Sequence, residues 1–362
     1  MWKISASMAL VMIKSMLKRF LPRAIIDKIK GHVEVLDVWL VAVSSKTFLT
    51  ALLYYIFFNR AYWREMHATL KGRAHFHHSN QENKLNTYFL RRNIHRLEKG
   101  LIMQPRRLVF GEGYIDKTLT QFENCLEHSA LSESELLWAS AVLNEYFSET
   151  GSSPVIDECE KRFLVLKQKC SVIAASMDSK PRPFKSLPRS SISFEDFRLL
   201  CNSRHSVRWF RPTRVGRELL EAAVDVALSA PSACNRQPLR FFIFDDPKQA
   251  RKIGAIPMGT AGFSENFQCV IVIVGDLSAY PFEKDRHIIY IDGALASMQL
   301  QLALETLGLS SCSINWPDIE RHESEMANEL QLEKYERPIM LLAVGYADGD
   351  ALVPYSDKKK SS

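Results

Sequence analysis

Residues 178–193, DSKPRPFKSLPRSSIS, cannot belong to a packed element. Three prolines remove backbone donors and fix φ, four basic residues require water, and little is left to bury. Any fold of this chain is therefore built on either side of that segment, and the two sides read differently. Upstream the pattern is helical almost throughout. Ser132 precedes early acids and an apolar run, which marks a helix start, and Val155, Cys159, Phe163, Leu166 and Cys170 recur at helical spacing between residues 154 and 177. Downstream, helices and strands alternate. Ser193-Phe-Glu-Asp opens a short helix, and residues 215–230 form an amphipathic one that stops at Pro231. Arg240-FFIFD, Cys269-VIVIVGD and Ile339-MLLAVGY read as strands. Residues 288–307 are apolar around most of a helical circumference and end at Gly308, so they predict a central helix covered on several sides.

The expected organisation is a basic, apolar helical region over 1–80, a helical domain over 81–177, a linker over 178–192 and a mixed α+β domain over 193–362. The linker is the expected first site of limited proteolysis. Charge supports setting the first region apart. Residues 1–80 hold 12 Lys/Arg against 4 Asp/Glu, so the net +6 of the whole chain comes from there and the rest is slightly acidic. That distribution gives the mixed domain no nucleic-acid face, and no nucleic-acid partner is expected. The 7 cysteines are odd in number and nowhere closer than 11 positions, so neither a CxxC metal site nor a disulfide framework is indicated. A reducing, cytoplasmic setting is the expectation.

The first region also raises the question of a membrane. Residues 8–21, MALVMIKSMLKRFL, are apolar with basic residues on a helical repeat but lack the cleavage site of a signal peptide. Residues 38–58 are long enough to span, yet Lys46 lies mid-stretch beside Ser44, Ser45 and Thr47. A lysine at a bilayer centre costs roughly 2.5–3.5 kcal/mol. Three readings stay open: a buried helix of a soluble domain, a surface-lying region drawn to anionic lipid, and a span. Peripheral contact with an anionic membrane is the membrane reading we carry forward, and spanning is the least favoured of the three.

Three segments of the mixed domain bear the chemistry. Arg204-His-Ser-Val-Arg208 follows the short helix, Pro231-Ser-Ala-Cys-Asn-Arg-Gln-Pro238 follows the next, and the tail runs Gly345-Tyr-Ala-Asp to Tyr355-Ser-Asp-Lys-Lys-Lys. Taken singly each has a plain reading: a solvated helix end, a helix stop, a loose basic tail. There is no GxGxxG and no GxxxxGK[ST], so neither a dinucleotide-binding Rossmann unit nor a P-loop is supported.

In order and spacing these segments resemble the nitroreductase family of flavin enzymes over about residues 195–360. Its Arg-(Arg/His)-Ser-x-(Arg/Lys) motif is matched at 204–208, its Pro-Ser-x-x-Asn-x-Gln-Pro motif at 231–238, and its central helix at 291–309, leading into Ser311-Cys312-Ser313. The resemblance implies an α+β, nitroreductase-like flavoprotein domain, a mainly antiparallel sheet covered by helices, behind an all-helical N-terminal region. It implies FMN as cofactor, NAD(P)H as electron donor, a small-molecule electron acceptor, and a homodimer with clefts built from both subunits. Arg204, Arg208 and a tail lysine, Lys358 or Lys359, would hold the phosphate, since guanidinium forks give directed, charge-assisted bonds. Ser206 and Ser232 would bond phosphate or ribityl oxygens, and Pro231, Ser311, Cys312 and Ser313 are counted with them as cofactor-binding, Cys312 either as a reactive thiol beside the flavin or as a small buried residue. Asn235 is the family's ring-edge position. Gln237 is a second ring contact or a packing amide, and His205 a backbone contact to FMN or a buried structural histidine. No side chain need act as nucleophile, because flavin N5 carries the chemistry.

The departures are Ala233, where members often have a second hydroxyl, and Leu239, where several have tryptophan. Leu90-Arg-Arg-Asn-Ile-His-Arg-Leu-Glu-Lys-Gly-Leu and Phe110-Gly-Glu-Gly-Tyr are similar to N-terminal regions of nitroreductase-like proteins encoded with bacterial polysaccharide biosynthesis. The opposing reading is a non-catalytic partner in such an assembly with a vestigial flavin site. No metal site is expected: His95 and Glu98 read as a packed pair, and His75, His77 and His78 as part of a polar loop. Since every matched motif lies beyond residue 193, a fragment starting there is expected to keep FMN and the dimer.

Overall fold

The computed structural model of the protein describes residues 22–81, 84–169 and 179–358. By compactness the chain divides into two units, Met1–Met66 and His67–Ser362.

In the first unit, α1 (Arg23–Ser44) and α2 (Phe48–Phe57) break the apolar run of 38–58 at its polar residues. Thr47 and Thr50 cap the start of α2 reciprocally, and Thr50 Oγ1 also donates to the Ser44 carbonyl at 2.9 Å. A turn that consumes Ser45, Lys46 and Thr47 in this way divides the stretch into two short helices. Among the described residues no helix is long and apolar enough to cross a membrane. Both helices leave large apolar side chains exposed, including Val35, Val38, Trp39, Phe48, Leu49, Phe57 and Phe58. The reading of 38–58 as a buried helix is corrected: Tyr54 is the buried residue of α2.

The second unit begins with helices. His75, His77 and His78 lie on α3 (Trp63–Gln81), not in a loop. Then α4 (Thr87–Leu101), α5 (Glu112–Glu127), α6 (Glu133–Glu149) and α7 (Pro154–Lys169) enclose a core of Leu90, Ile94, Leu97, Ile115, Leu119, Phe122, Leu143, Tyr146 and Phe163. Ser132 caps α6 with a full capping box to Glu135. The segment 179–193 is exposed throughout most of its length, as its composition requires.

The sheet has the order β1 (Leu239–Phe244), β2 (Cys269–Asp276), β4 (Glu336–Gly345), β3 (Ser310–Asn315), and every pairing is antiparallel. All eight residues of β2 are buried because both faces are covered. Val270, Val272 and Val274 face Ile253, Phe267, Met326 and Leu341, drawing on α10 (Pro247–Gly254) and α12 (Glu320–Leu330). Cys269, Ile271 and Ile273 face Leu220, Ala223, Ala227, Ala296, Leu300 and Leu304, from α9 (Arg217–Leu228) and α11 (Ile288–Thr306). This period-2 split makes the sheet the middle of a three-layer stack. A further helix, α8 (Phe194–Ser203), leads into the first motif.

Helical and mixed parts of this unit are tied closely. Tyr88 Oη donates to Asp276 Oδ2 at 2.9 Å, Arg73 Nε donates to the Pro281 carbonyl at 2.9 Å, and Arg73 pairs with Glu283. A Cβ on Gly72 would sit 2.7 Å from the Leu277 backbone, so glycine is what lets α3 approach this turn.

Candidate functional site

The first motif emerges from the C-terminal end of α8, where Ser193 caps the start and Arg204 leaves the helix in an extended conformation. Extension lets Ser206 form a parallel bridge to Ser311 of β3, and the Val207 amide donates to the Ser311 carbonyl at 3.0 Å. Asn266 locks the next step: its Nδ2 donates to the Arg208 carbonyl at 2.6 Å and its Oδ1 accepts from the Phe210 amide at 3.2 Å. Arg204 and Arg208 are both half-buried, and among the described residues neither pairs with a carboxylate. Both guanidinium groups act on Cys312, whose thiol burial pushes up and they pull down. Arg204 and His205 act likewise on Glu305, which burial raises.

Ser311 is 1% exposed and its Oγ has no hydrogen-bond partner. A buried, unpartnered hydroxyl beside two unpaired arginines is a site with donors to spare for an anion, because leaving such groups unmatched costs about 1–3 kcal/mol each. Cys312 is buried with Sγ 3.7 Å from the Ser313 carbonyl, and its raised thiol is a packing residue rather than a thiolate. Ser313 Oγ donates to Gln301 Oε1 at 3.0 Å. His205 is exposed, with its ring nitrogen 2.7 Å from the Ser203 carbonyl, which corrects the buried structural reading. Lys358 is exposed, and Lys359 lies outside the described residues.

The second motif is a tight, strained turn. Cys234, Asn235 and Gln237 all have φ between 52° and 55°. Its amides are gathered inward: Ala233 N donates to Asp292 at 3.1 Å, Gln237 N to Ser232 Oγ at 3.0 Å, and Gln237 Nε2 to Asn235 Oδ1 at 2.9 Å. Gln237 thus orients Asn235, and Pro231 is exposed at the turn's entrance. Burial raises the Asp292 carboxyl, opposed by the Ala233 amide and by Arg236.

The two motifs do not meet within one chain. The second is fastened to Asp292 near the start of α11, the first lies beside Glu305 near its end. Thirteen residues of helix at 1.5 Å each separate them by about 20 Å. Between them α11 exposes Ile291, Leu295 and Met298, with Leu302 half-buried on the same stripe. In the helical part, His95 and Glu98 form a pair at 3.2 Å, and Trp138 Nε1 donates to Glu98 at 2.8 Å, a packed arrangement.

Sequence reasoning missed Asn266, Asp292 and three arginines that converge on the second motif, Arg92, Arg96 and Arg236. The two on α4 stand four residues apart, a spacing visible in the sequence.

The model of the nitroreductase family matches residues 202–261 and 255–346. The provisionally named NAD(P)H nitroreductase YdgI of Bacillus subtilis strain 168 is 26% identical over 200 residues, covering 45% of this chain and 94% of that protein. A CLA biosynthesis enone reductase of Lactiplantibacillus plantarum is 32% identical over 107 residues, 29% of this chain and 49% of that one. Among solved structures, a nitroreductase-like protein of Streptococcus mutans aligns at 19% identity over 47% of this chain and 96% of its own, with a TM-score of 0.41. An FMN-dependent nitroreductase of Clostridium difficile R20291 aligns at 22% identity over 43% and 91%, with a TM-score of 0.38. The family match thus lies within residues 202–346, the part of the chain that carries the antiparallel sheet.

Proposed function

We propose that residues 202–346, as a nitroreductase-family segment, make this protein an FMN-dependent, NAD(P)H-consuming oxidoreductase that works as a homodimer. The observation that carries the reading is the pair of half-sites at opposite ends of α11, joined by an exposed apolar stripe. A second copy docked on that stripe about a two-fold axis sets Arg204 and Arg208 of one subunit opposite the Asn235 turn of the other. Neither half is complete alone.

The residues present fit FMN: two unpaired guanidinium groups and the Ser311 hydroxyl suit its phosphate, and the constrained Asn235 amide suits a ring edge. Bound there, FMN would supply hydride-transfer chemistry between NAD(P)H and an oxidising small molecule. The chain's own part is to neutralise the phosphate, to orient Asn235 through Gln237, and to exclude water with the second subunit. The relatives' names as NAD(P)H nitroreductase and enone reductase favour this class.

A spectrum tests it. Purified full-length protein should be yellow and should bleach anaerobically on NADH or NADPH. Colourless protein that takes up no added FMN would favour the vestigial partner instead. A place beside surface-polysaccharide biosynthesis is supported by the resemblance of residues 90–114 alone.

For the first unit we propose peripheral attachment to anionic membrane. Residues 1–66 carry 10 Lys/Arg against 4 Asp/Glu, and α1 and α2 expose aromatic and aliphatic side chains. Full-length protein should float with anionic liposomes at low salt and release as ionic strength rises. Absence of flotation at low salt would remove the proposal.

A further inference from the structure

We infer that Arg92, Arg96 and Arg236 form a recognition site for an oxyanion, the carboxylate or phosphate of a molecule that docks against the flavin beside the Asn235 turn. The inference rests on the flavin reading above and adds the substrate class.

The site is built where the two parts of the second unit meet, with α4 packed on the turn 233–235. Arg236 directly follows Asn235, is 5% exposed, and has an Nε with no hydrogen-bond partner. Its Nη1 donates to the Ala233 carbonyl at 3.0 Å, and its guanidinium lies 5.1 Å from the Tyr280 ring centre. Arg96 stacks on the Tyr114 ring at 3.6 Å and donates to Asn93 Oδ1 at 3.2 Å, so its plane is fixed. Arg92 is half-buried between them and makes no ion pair among the described residues. Its neighbour Arg91, in contrast, is neutralised by Glu135.

Three guanidinium groups drawn together repel one another unless a negative charge joins them. That repulsion registers on Arg92, whose proton affinity is lowered by burial and then by Arg96 and Arg236. The acids within reach do not cancel it. Asp285 acts on Arg92 without pairing to it, and Asp292 is engaged by the Ala233 amide. Cys234 is the other titratable group facing Arg92. Fixed, planar guanidinium groups with spare N–H donors are the arrangement that binds carboxylate or phosphate by paired, charge-assisted bonds. Placed one residue from the ring-edge asparagine, they select a flavin substrate by its anionic group. The helical part therefore contributes specificity to a site whose proposed cofactor contacts come from the mixed domain.

The matched probes are 4-nitrobenzoate and 4-nitrobenzamide, which differ chiefly in charge. Calorimetric titration of full-length oxidised protein should show a preference for the benzoate, and anaerobic reoxidation of the reduced protein should show the same preference in rate. Arg92→Gln should lower that preference by about 10- to 150-fold, the range for one lost charge-assisted bond. Arg92→Lys should keep more of it than Arg92→Gln, and Arg96→Gln, a second variant, should shift it in the same direction. In a parallel arm, flavin reduction by NADPH and NADH is compared. Loss of NADPH preference in Arg92→Gln, with the benzoate preference intact, would assign the oxyanion to the donor's 2′-phosphate rather than to the acceptor. If Arg92→Gln and Arg96→Gln alter neither preference, the site is structural and the inference falls. Protein that binds no flavin but still prefers the benzoate by calorimetry would sink the flavin reading and leave the anion site standing.

Discussion

Arg208→Ala should weaken FMN binding by about 10- to 150-fold and riboflavin binding far less. The range corresponds to one charge-assisted bond of roughly 1.5–3 kcal/mol. The differential is the informative part, because riboflavin lacks the phosphate and shares the rest of the molecule. Arg208 is suited to the test: its backbone is held by Asn266 and its side chain, with a weak 3.4 Å contact to the Ser206 carbonyl, has no carboxylate partner to orphan. Titrating apoprotein with each ligand by flavin fluorescence gives the two affinities. Equal losses for FMN and riboflavin would show that Arg208 shapes the fold of the cleft and does not meet the phosphate.

The central strand of the mixed domain was legible because burial on both faces favours an unbroken apolar run. Cys269-VIVIVGD has no other stable home than the middle of a covered sheet, and it became β2 at its predicted start. The helix ends were legible for a different reason: Ser132 and Ser193 satisfy orphan amides, a local requirement that the sequence states directly. Strand β3 was not legible. Ser310-Ser-Cys-Ser has no apolar alternation, and it is a strand because β4 offers it an edge and Ser206 closes its other side. Tertiary pairing decides such a segment.

The candidate site was legible as residue types and not as geometry. Arg204, Ser206 and Arg208 read alone as a solvated helix end and point to an anion site only through the family resemblance, and nothing local says that Asn235 stands at the far end of α11. That separation depends on where each loop is fastened: Asp292 holds the second motif near the start of that helix, while Ser311 and Asn266 hold the first. Likewise, Arg92 and Arg96 read in isolation as a solvated helix face. Only the packing of α4 on the 233–235 turn turns them toward Arg236.

Cutting the exposed segment 179–192 should leave the two fragments of the second unit associated, whereas a protein that begins at residue 193 should not fold cooperatively. The sequence alone suggested the opposite for the second case, since all the flavin motifs lie beyond the linker. The contacts across the unit change the expectation. Removing the helical part takes the Tyr88 hydroxyl from Asp276, a buried carboxylate that would keep only Ser278. It also takes Arg73 from Pro281 and Glu283, and Ala68 from the cluster of Leu277, Ala279, Tyr280 and Ile289. One unpaired buried group costs about 1–3 kcal/mol, and each large apolar side chain returned to water about 1.5–3 kcal/mol. Two or three such losses sum to about 2–9 kcal/mol, a large part of a typical domain's stability of about 5–15 kcal/mol. In a nicked protein none of these contacts is broken, because the cut falls where the chain makes few of them. Limited proteolysis followed by gel filtration under native conditions should therefore give one peak containing both fragments and the flavin. The 193–362 fragment, expressed alone, should melt without a sharp transition and bind no FMN. A yellow, cooperative dimer from that fragment would mean that the helical part only covers a domain already complete.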